Sequence, residues 1–158
     1  VHLALDPTLP SVLADRIQIQ QVLLNLVMNA CEAMIQTDVK ERWLLIATTW
    51  NNADKIHVSV ADQGPGIPAE DRKTVFTPFF TTKAGSRWQG LGLGLSVSRG
   101  LVQAMGGRID IETSLQGGST FTVVHPLAPI DGIEQSAAQS PRGKEQQDDD
   151  YAATHTHC

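Results

Sequence analysis

Ala61-Asp62-Gln63-Gly64-Pro65-Gly66-Ile67-Pro68 follows directly on Lys55-Ile56-His57-Val58-Ser59-Val60, and this junction decides how the rest of the chain is read. Ile56, Val58 and Val60 alternate with polar residues, the pattern of a half-buried strand. The strand runs straight into an acid and two glycines. Glycine lets another group come close to the backbone, and Pro65 and Pro68 stiffen a turn that would otherwise be loose. An acid held on a stiff turn at a strand end can read one donor group of a ligand. Taken alone, a solvated surface turn accounts for the stretch equally well.

Upstream, Asp15 is placed as a helix N-cap, and a helical pattern runs from Arg16 to about Gln36. Ile19, Leu23, Leu26, Val27, Ala30 and Met34 form its apolar face. Opposite them Gln18, Gln21, Asn25, Asn29, Glu32 and Gln36 recur every three or four residues, which stacks them on one side. A solvated stripe is the plain reading. Against it, Asn is a poor choice for the middle of a helix, because its side chain competes for the backbone. Its neutral oxygen can ligate a hard cation and its amide can donate to a phosphate. Before the helix, His2–Leu5 and Val12–Ala14 read as short strands around a proline-containing turn. Trp43–Trp50 reads as a strand that turns through 51–54 into Lys55–Val60 as a hairpin.

Downstream, Glu70–Lys73 predicts a short helical turn, and Val75–Lys83 holds three of the four phenylalanines beside Thr, Pro and one Lys. Gly85, Gly90, Gly92 and Gly94 keep 84–94 from being regular, as a lid over a site would require. Gly90-Leu91-Gly92-Leu93-Gly94-Leu95 then enters a helix that ends near Met105. Glycines leading into a helix N-terminus make a ready anion site. This stretch lacks the Lys-Ser/Thr ending of a P-loop and the G-x-G-x-x-G spacing of a dinucleotide motif, and a flexible connection also explains it. Arg108–Glu112 and Thr120–Val124 close the domain as strands joined through Gly117-Gly118-Ser119-Thr120, whose Thr hydroxyl can face a ligand as easily as water.

The 158 residues suffice for one domain with a proper core. No apolar run approaches the roughly 20 residues of a membrane span, and the start does not read as a signal peptide. Two cysteines, Cys31 and Cys158, form neither a disulfide framework nor a metal spacing. A reducing, cytoplasmic setting without direct membrane contact is expected. The net charge is −5, and the stretch from Asp131 onward, with six acids and two bases, carries −4 of it. That stretch is poor in apolar residues, which predicts a disordered acidic tail over 128–158; His155 and His157 in it read as part of a frayed end. The body has no run of Lys and Arg, so nucleic acid is not an expected partner.

In this order, the pieces resemble the catalytic ATP-binding domain of sensor histidine kinases, within the gyrase/chaperone/histidine-kinase/MutL superfamily. Asn25–Ala30 is similar to the N box, Asp62–Ile67 to the first glycine box, Phe76–Phe80 to the F box and Gly90–Leu95 to the second glycine box. The resemblance covers residues 1–127. Phe79–Lys83 looks most like the nitrogen-regulatory and dicarboxylate-sensing subgroup. The resemblance implies an α/β two-layer sandwich of Bergerat type, a mixed sheet with helices on one face and ATP bound between helix and lid.

It also implies roles. Asp62 accepts from the exocyclic amine of adenine, a donor that guanine replaces with a carbonyl. Gly64 and Gly66 admit the purine, Ile67 packs on it, and Thr120 supports Asp62 or a bridging water. Asn29 ligates Mg2+ with Asn25 nearby, Gly92 and Gly94 cradle phosphates, and Lys83 reaches the terminal one. Glu32, Phe79, Thr81, Thr82, Gly90, Leu91, Leu93 and Leu95 complete the implied ATP contacts. Hydrolysing members of the superfamily carry a Glu base where this chain has Asn25. The expected activity is therefore transfer of the ATP γ-phosphate to a histidine on a separate dimerisation domain, with a response regulator downstream. An ATPase or a non-catalytic nucleotide-binding module of the same fold are the alternatives. None of His2, His57, His125, His155 and His157 is followed by an acid or set in a helical pattern, so the acceptor is expected outside this chain.

Overall fold

The computed structural model describes residues 1–35, 42–50, 54–81, 91–114 and 117–127. The expectations for Gln36, the turn at 51–53, Thr82, Lys83, the lid from 84 to Gly90, and the tail at 128–158 lie outside these residues.

Five strands form one sheet: β1 (His2–Ala4), β2 (Leu45–Trp50), β3 (Lys55–Ala61), β4 (Arg108–Thr113) and β5 (Ser119–Pro126). Their order is β1-β2-β3-β5-β4. β1 pairs with β2 in parallel, and all other pairs are antiparallel. Register decides which side chains share a face. Val60 stands opposite Phe121, and Val123 opposite both Val58 and Ile109. Residues directly opposed in a ladder project to the same side, so these apolar groups form one continuous surface.

Two helices cover that surface, α1 (Arg16–Ile35) and α2 (Gly94–Ala104). Val22, Leu26, Ala30 and Met34 of α1 meet Val102 of α2 and Val60, Ile109, Phe121 and Val123 of the sheet in one core. Val22, Leu26, Val60 and Val102 are fully buried, each contributing about 1.5–3 kcal/mol by leaving water. The expected α/β Bergerat sandwich is thus present. The apolar face of α1 is centred one position earlier than its periodicity suggests: Val22 is buried, whereas Ile19 and Leu23 are half-buried.

Val12–Ala14 is not a strand. Residues 12–14 pair with no strand of the sheet and serve as the lead into α1. Asp15 caps that helix, its Oδ1 accepting from the backbone N–H of Ile17 (2.8 Å) and Gln18 (3.0 Å). Substituting Asp15 by alanine is expected to cost about 1 kcal/mol. Chemical denaturation would register this as a lower midpoint with an unchanged slope, and an unchanged midpoint would show that the cap contributes nothing.

Candidate functional site

Where β3 ends, Asp62 enters the sheet's network through its backbone, its N–H donating to the Ser119 carbonyl (2.9 Å). Its side chain folds back into the loop. Oδ1 accepts from the N–H of Gly64 (2.7 Å) and of Ser119 (3.3 Å). No described group donates to Oδ2, which leaves that oxygen available to the cavity that Asp62 lines. The residue is 6% exposed. Burial raises the Asp62 carboxyl above the usual carboxylate range, and the N–H groups of Gly64 and Ser119 pull it partly back.

The loop keeps its shape because the hairpin before β5 is packed against it. The Gly118 N–H donates to the Gly64 carbonyl (2.7 Å), and Gly118 adopts a left-handed φ of 84°. A Cβ at Gly118 would overlap the Asp62 carbonyl oxygen. At Gly64 a Cβ would come within 2.9 Å of both the Ala33 Cβ and Asp62 Oδ1, so any side chain there would push the acid out of place.

The cavity measures about 540 Å³. Its three walls are the polar side of α1, the 62–68 loop, and the segment from Leu91 into α2. Asn25, Asn29 and Glu32 all line it, because residues three and four apart share a helix face. At one end the Asn25 amide donates to Ser98 Oγ (3.2 Å) and to the Gly94 carbonyl (3.5 Å), tying α1 to the first turn of α2. A Cβ at Gly94 would lie 4.0 Å from Asn29 Nδ2. Leu93, Gly94 and Leu95 bring the N-terminus of α2 to this end, with no acid in its first turn. Free N–H groups and the positive helix end make it favourable for phosphate. The other end, at Ala33 and Gly64, carries the Asp62 carboxylate.

Of the residues expected at the site, Asn25, Asn29, Glu32, Asp62, Gly66, Ile67, Thr81, Leu91, Gly92, Leu93, Gly94 and Leu95 line the cavity. Gly64 stands behind it, holding Asp62. Thr82, Lys83 and Gly90 are outside the described residues. Thr120 and Phe79 are placed elsewhere. Thr120 pairs with Ala61 and Glu112, on the side of the sheet away from the helices, and Ser119 is the residue at Asp62. Strand alternation carries this signal: an inward Phe121 puts 119, not 120, on the inner face. Phe79 has a φ of 66°, which turns its ring outward to 72% exposure and leaves Phe80 lining the cavity. Met28, Ala33, Pro65, Pro68, Val75 and Phe121 also line it. The helical stripe could have identified Met28 and Ala33, which flank Asn29 and Glu32 on the same side of α1.

Residues 14–129 match the family of histidine kinase-, DNA gyrase B- and HSP90-like ATPases. The sensor protein FixL of Bradyrhizobium diazoefficiens is 44% identical over 128 residues, which are 81% of this chain and 24% of FixL. The chain therefore spans about a quarter of that relative's length. The catalytic domain of the histidine kinase ThkA superposes with a TM-score of 0.66 at 37% identity, covering 80% of this chain and 79% of that one. ThkA in complex with the response regulator TrrA aligns at 35% identity and a TM-score of 0.64, over 80% of this chain and 34% of that one. Fold, cavity and kinship agree: the chain belongs to the family of histidine kinase-, DNA gyrase B- and HSP90-like ATPases, as a catalytic ATP-binding domain of the sensor histidine kinase type.

Proposed function

We propose that this domain binds ATP with the adenine at Asp62 and the phosphates at the N-terminus of α2, and passes the γ-phosphate to a histidine on a separate dimerisation domain. The polarity of α1 along the cavity carries this reading. Asn25 and Asn29 sit at the phosphate end and are neutral amides, while Glu32 lies two turns beyond Asn25 on the same cavity-lining stripe. Seven residues of helix separate the positions by about 10 Å. An amide cannot take a proton from water, so no described group at the phosphate end activates hydrolysis. Phosphoryl transfer depends mainly on positioning and charge neutralisation, which amides and helix N–H groups supply.

None of the three described histidines lines the cavity. His125 is buried within β5, its Nδ1 in contact with the Pro126 carbonyl at 2.7 Å. His57 lies on the sheet face away from the helices, and His2 on the edge strand. We infer that the phosphate acceptor lies outside this domain, on the dimerisation domain of the same kinase, with a response regulator taking the phosphate onward. Among the described residues no helix is long and apolar enough to cross a membrane.

Magnesium fits this site through Asn29. Among the described residues no cluster of three His, Cys, Asp or Glu could hold an ion, and Mg2+ commonly takes one or two protein oxygens with the rest from phosphate and water. Held there by Asn29, the ion would neutralise phosphate charge. Substituting Asn29 by alanine is expected to weaken magnesium-dependent ATP binding about tenfold or more, with a smaller loss for nucleotide in chelator. Equal losses would make Asn29 a packing residue.

The decisive test uses magnesium and γ-labelled ATP with the chain alone, and then with the helical acceptor domain of its own full-length protein. Acid-labile label is expected on the acceptor domain's histidine and only in its presence. Label on the isolated chain would place an acceptor within it. Rapid release of free phosphate would place it among the hydrolysing members of the family.

A further inference from the structure

Behind the wall of the nucleotide cavity lies a second cleft, of about 350 Å³, between the turns at 71–76, α2 and β4. Arg72, Lys73, Arg99 and Arg108 line it with a single acid, Asp110. That acid is already taken, its Oδ2 lying 2.9 Å from Arg108 Nε. Among the described residues Arg72, Lys73 and Arg99 have no acidic partner. Such a concentration of positive charge stands out in a chain with 17 acids and 12 bases.

Two of the cations are held in position. Arg72 Nε donates to the Ile67 carbonyl (3.4 Å), and the Arg99 guanidinium lies over the Phe76 ring, 5.6 Å from its centroid. Like charges gathered in one concavity repel each other and focus a positive potential outward. A planar guanidinium fixed by stacking loses less freedom when it meets a carboxylate, whose two oxygens match its fork. We propose that this cleft docks an acidic segment of a protein partner, with Asp or Glu side chains entering between Arg72, Arg99 and Arg108.

The geometry favours that occupant over other anions. Four bases around one small concavity fall short of a track for a nucleic-acid backbone. A concave cleft does not follow a flat lipid surface. Lys73, Arg99 and Arg108 are exposed, so one small ion would gain little from any of them, whereas a segment with several carboxylates engages them together. Docking here would bear on the nucleotide site through shared parts. The Ile67 that Arg72 holds lines the cavity. Phe76 packs edge-on against the cavity residue Phe121, with ring centroids 6.4 Å apart.

The test measures binding of a fluorescein-labelled oligoglutamate peptide to the full chain at low salt. One double variant, Lys73→Gln with Arg99→Gln, removes two charges from the cleft. Another, Arg16→Gln with Lys55→Gln, removes two from elsewhere. The first is expected to weaken binding by about tenfold or more, and the second by less than about threefold, the effect of overall charge alone. Both should keep wild-type ADP affinity, since none of the four residues lines the nucleotide cavity. ADP binding thus reports on the nucleotide reading independently of the peptide. Equal losses in the two variants, or no binding of the peptide by the parent chain, would overturn the proposal. So would complete displacement of the peptide by inorganic phosphate, or capture of the chain by phosphatidylserine vesicles that the cleft variant alone abolishes.

Discussion

Substituting Asp62 by alanine is expected to weaken ATP binding at least about thirtyfold, because a hydrogen bond to a charged group contributes roughly 2 kcal/mol. The same change orphans the N–H groups of Gly64 and Ser119, which donate to Oδ1, so the folded state should lose about 1–3 kcal/mol as well. Asp62→Asn separates the two effects. An asparagine keeps an oxygen for the two backbone donors but turns an NH2 group toward the adenine amine, setting donor against donor. Its stability should stay near that of the parent while ATP affinity falls, and its relative affinity for GTP should rise. Calorimetry showing parental ATP affinity in both variants would remove Asp62 from the adenine site.

A pH dependence follows from the same burial. The Asp62 carboxyl is raised in the folded state, so its ionised form costs stability. That cost is absent below the unfolded value and complete above the folded one. ATP binding runs the other way: reading an amine requires the carboxylate, so affinity should decline as the pH falls through the raised value. In Asp62→Asn this acid limb should vanish. An acid limb of the same size in the variant would assign it to the phosphates or to another group.

Gly92→Ala is the second change expected to have a large effect. Gly92 has a φ of 66°, a conformation that costs an L-residue roughly 1–2 kcal/mol. Space is also lacking. A Cβ there would lie 2.6 Å from the Phe80 carbonyl oxygen and 2.7 Å from the Phe79 carbonyl carbon. These are backbone atoms, and they are held, because the Phe79 N–H donates to the Gly92 carbonyl (3.0 Å). Alanine must therefore break the junction between the phenylalanine segment and the entry to α2, both of which line the cavity. ATP affinity is expected to fall about tenfold or more. Gly100→Ala is the control: it lies inside α2 with nothing within 4 Å of an added Cβ, and should stabilise the helix by up to about 1 kcal/mol. Parental ATP affinity in Gly92→Ala would show that the segment tolerates the shift.

The chain's local patterns determined most of the elements and somewhat more than half of the residues that line the cavity. Alternation at 56, 58 and 60 marked β3, Asp15 marked the start of α1, and the spacing of Asn25, Asn29 and Glu32 put them on one side of a helix. These signals are legible because periodicity and capping depend on neighbours within a few residues. Tertiary structure decided what local patterns leave open. Whether Ser119 or Thr120 meets Asp62 depends on where β5 joins the ladder, since one step of register exchanges the two faces of a strand. Whether Phe79 or Phe80 turns inward depends on a hydrogen bond to Gly92, thirteen residues away. Val12–Ala14 has strand-forming residues but pairs with no strand, and leads into the Asp15 cap of α1 instead. The basic cleft joins residues from the turns at 71–76, from α2 and from β4, so no run of sequence announces it: its charge is concentrated only where packing brings those three segments together.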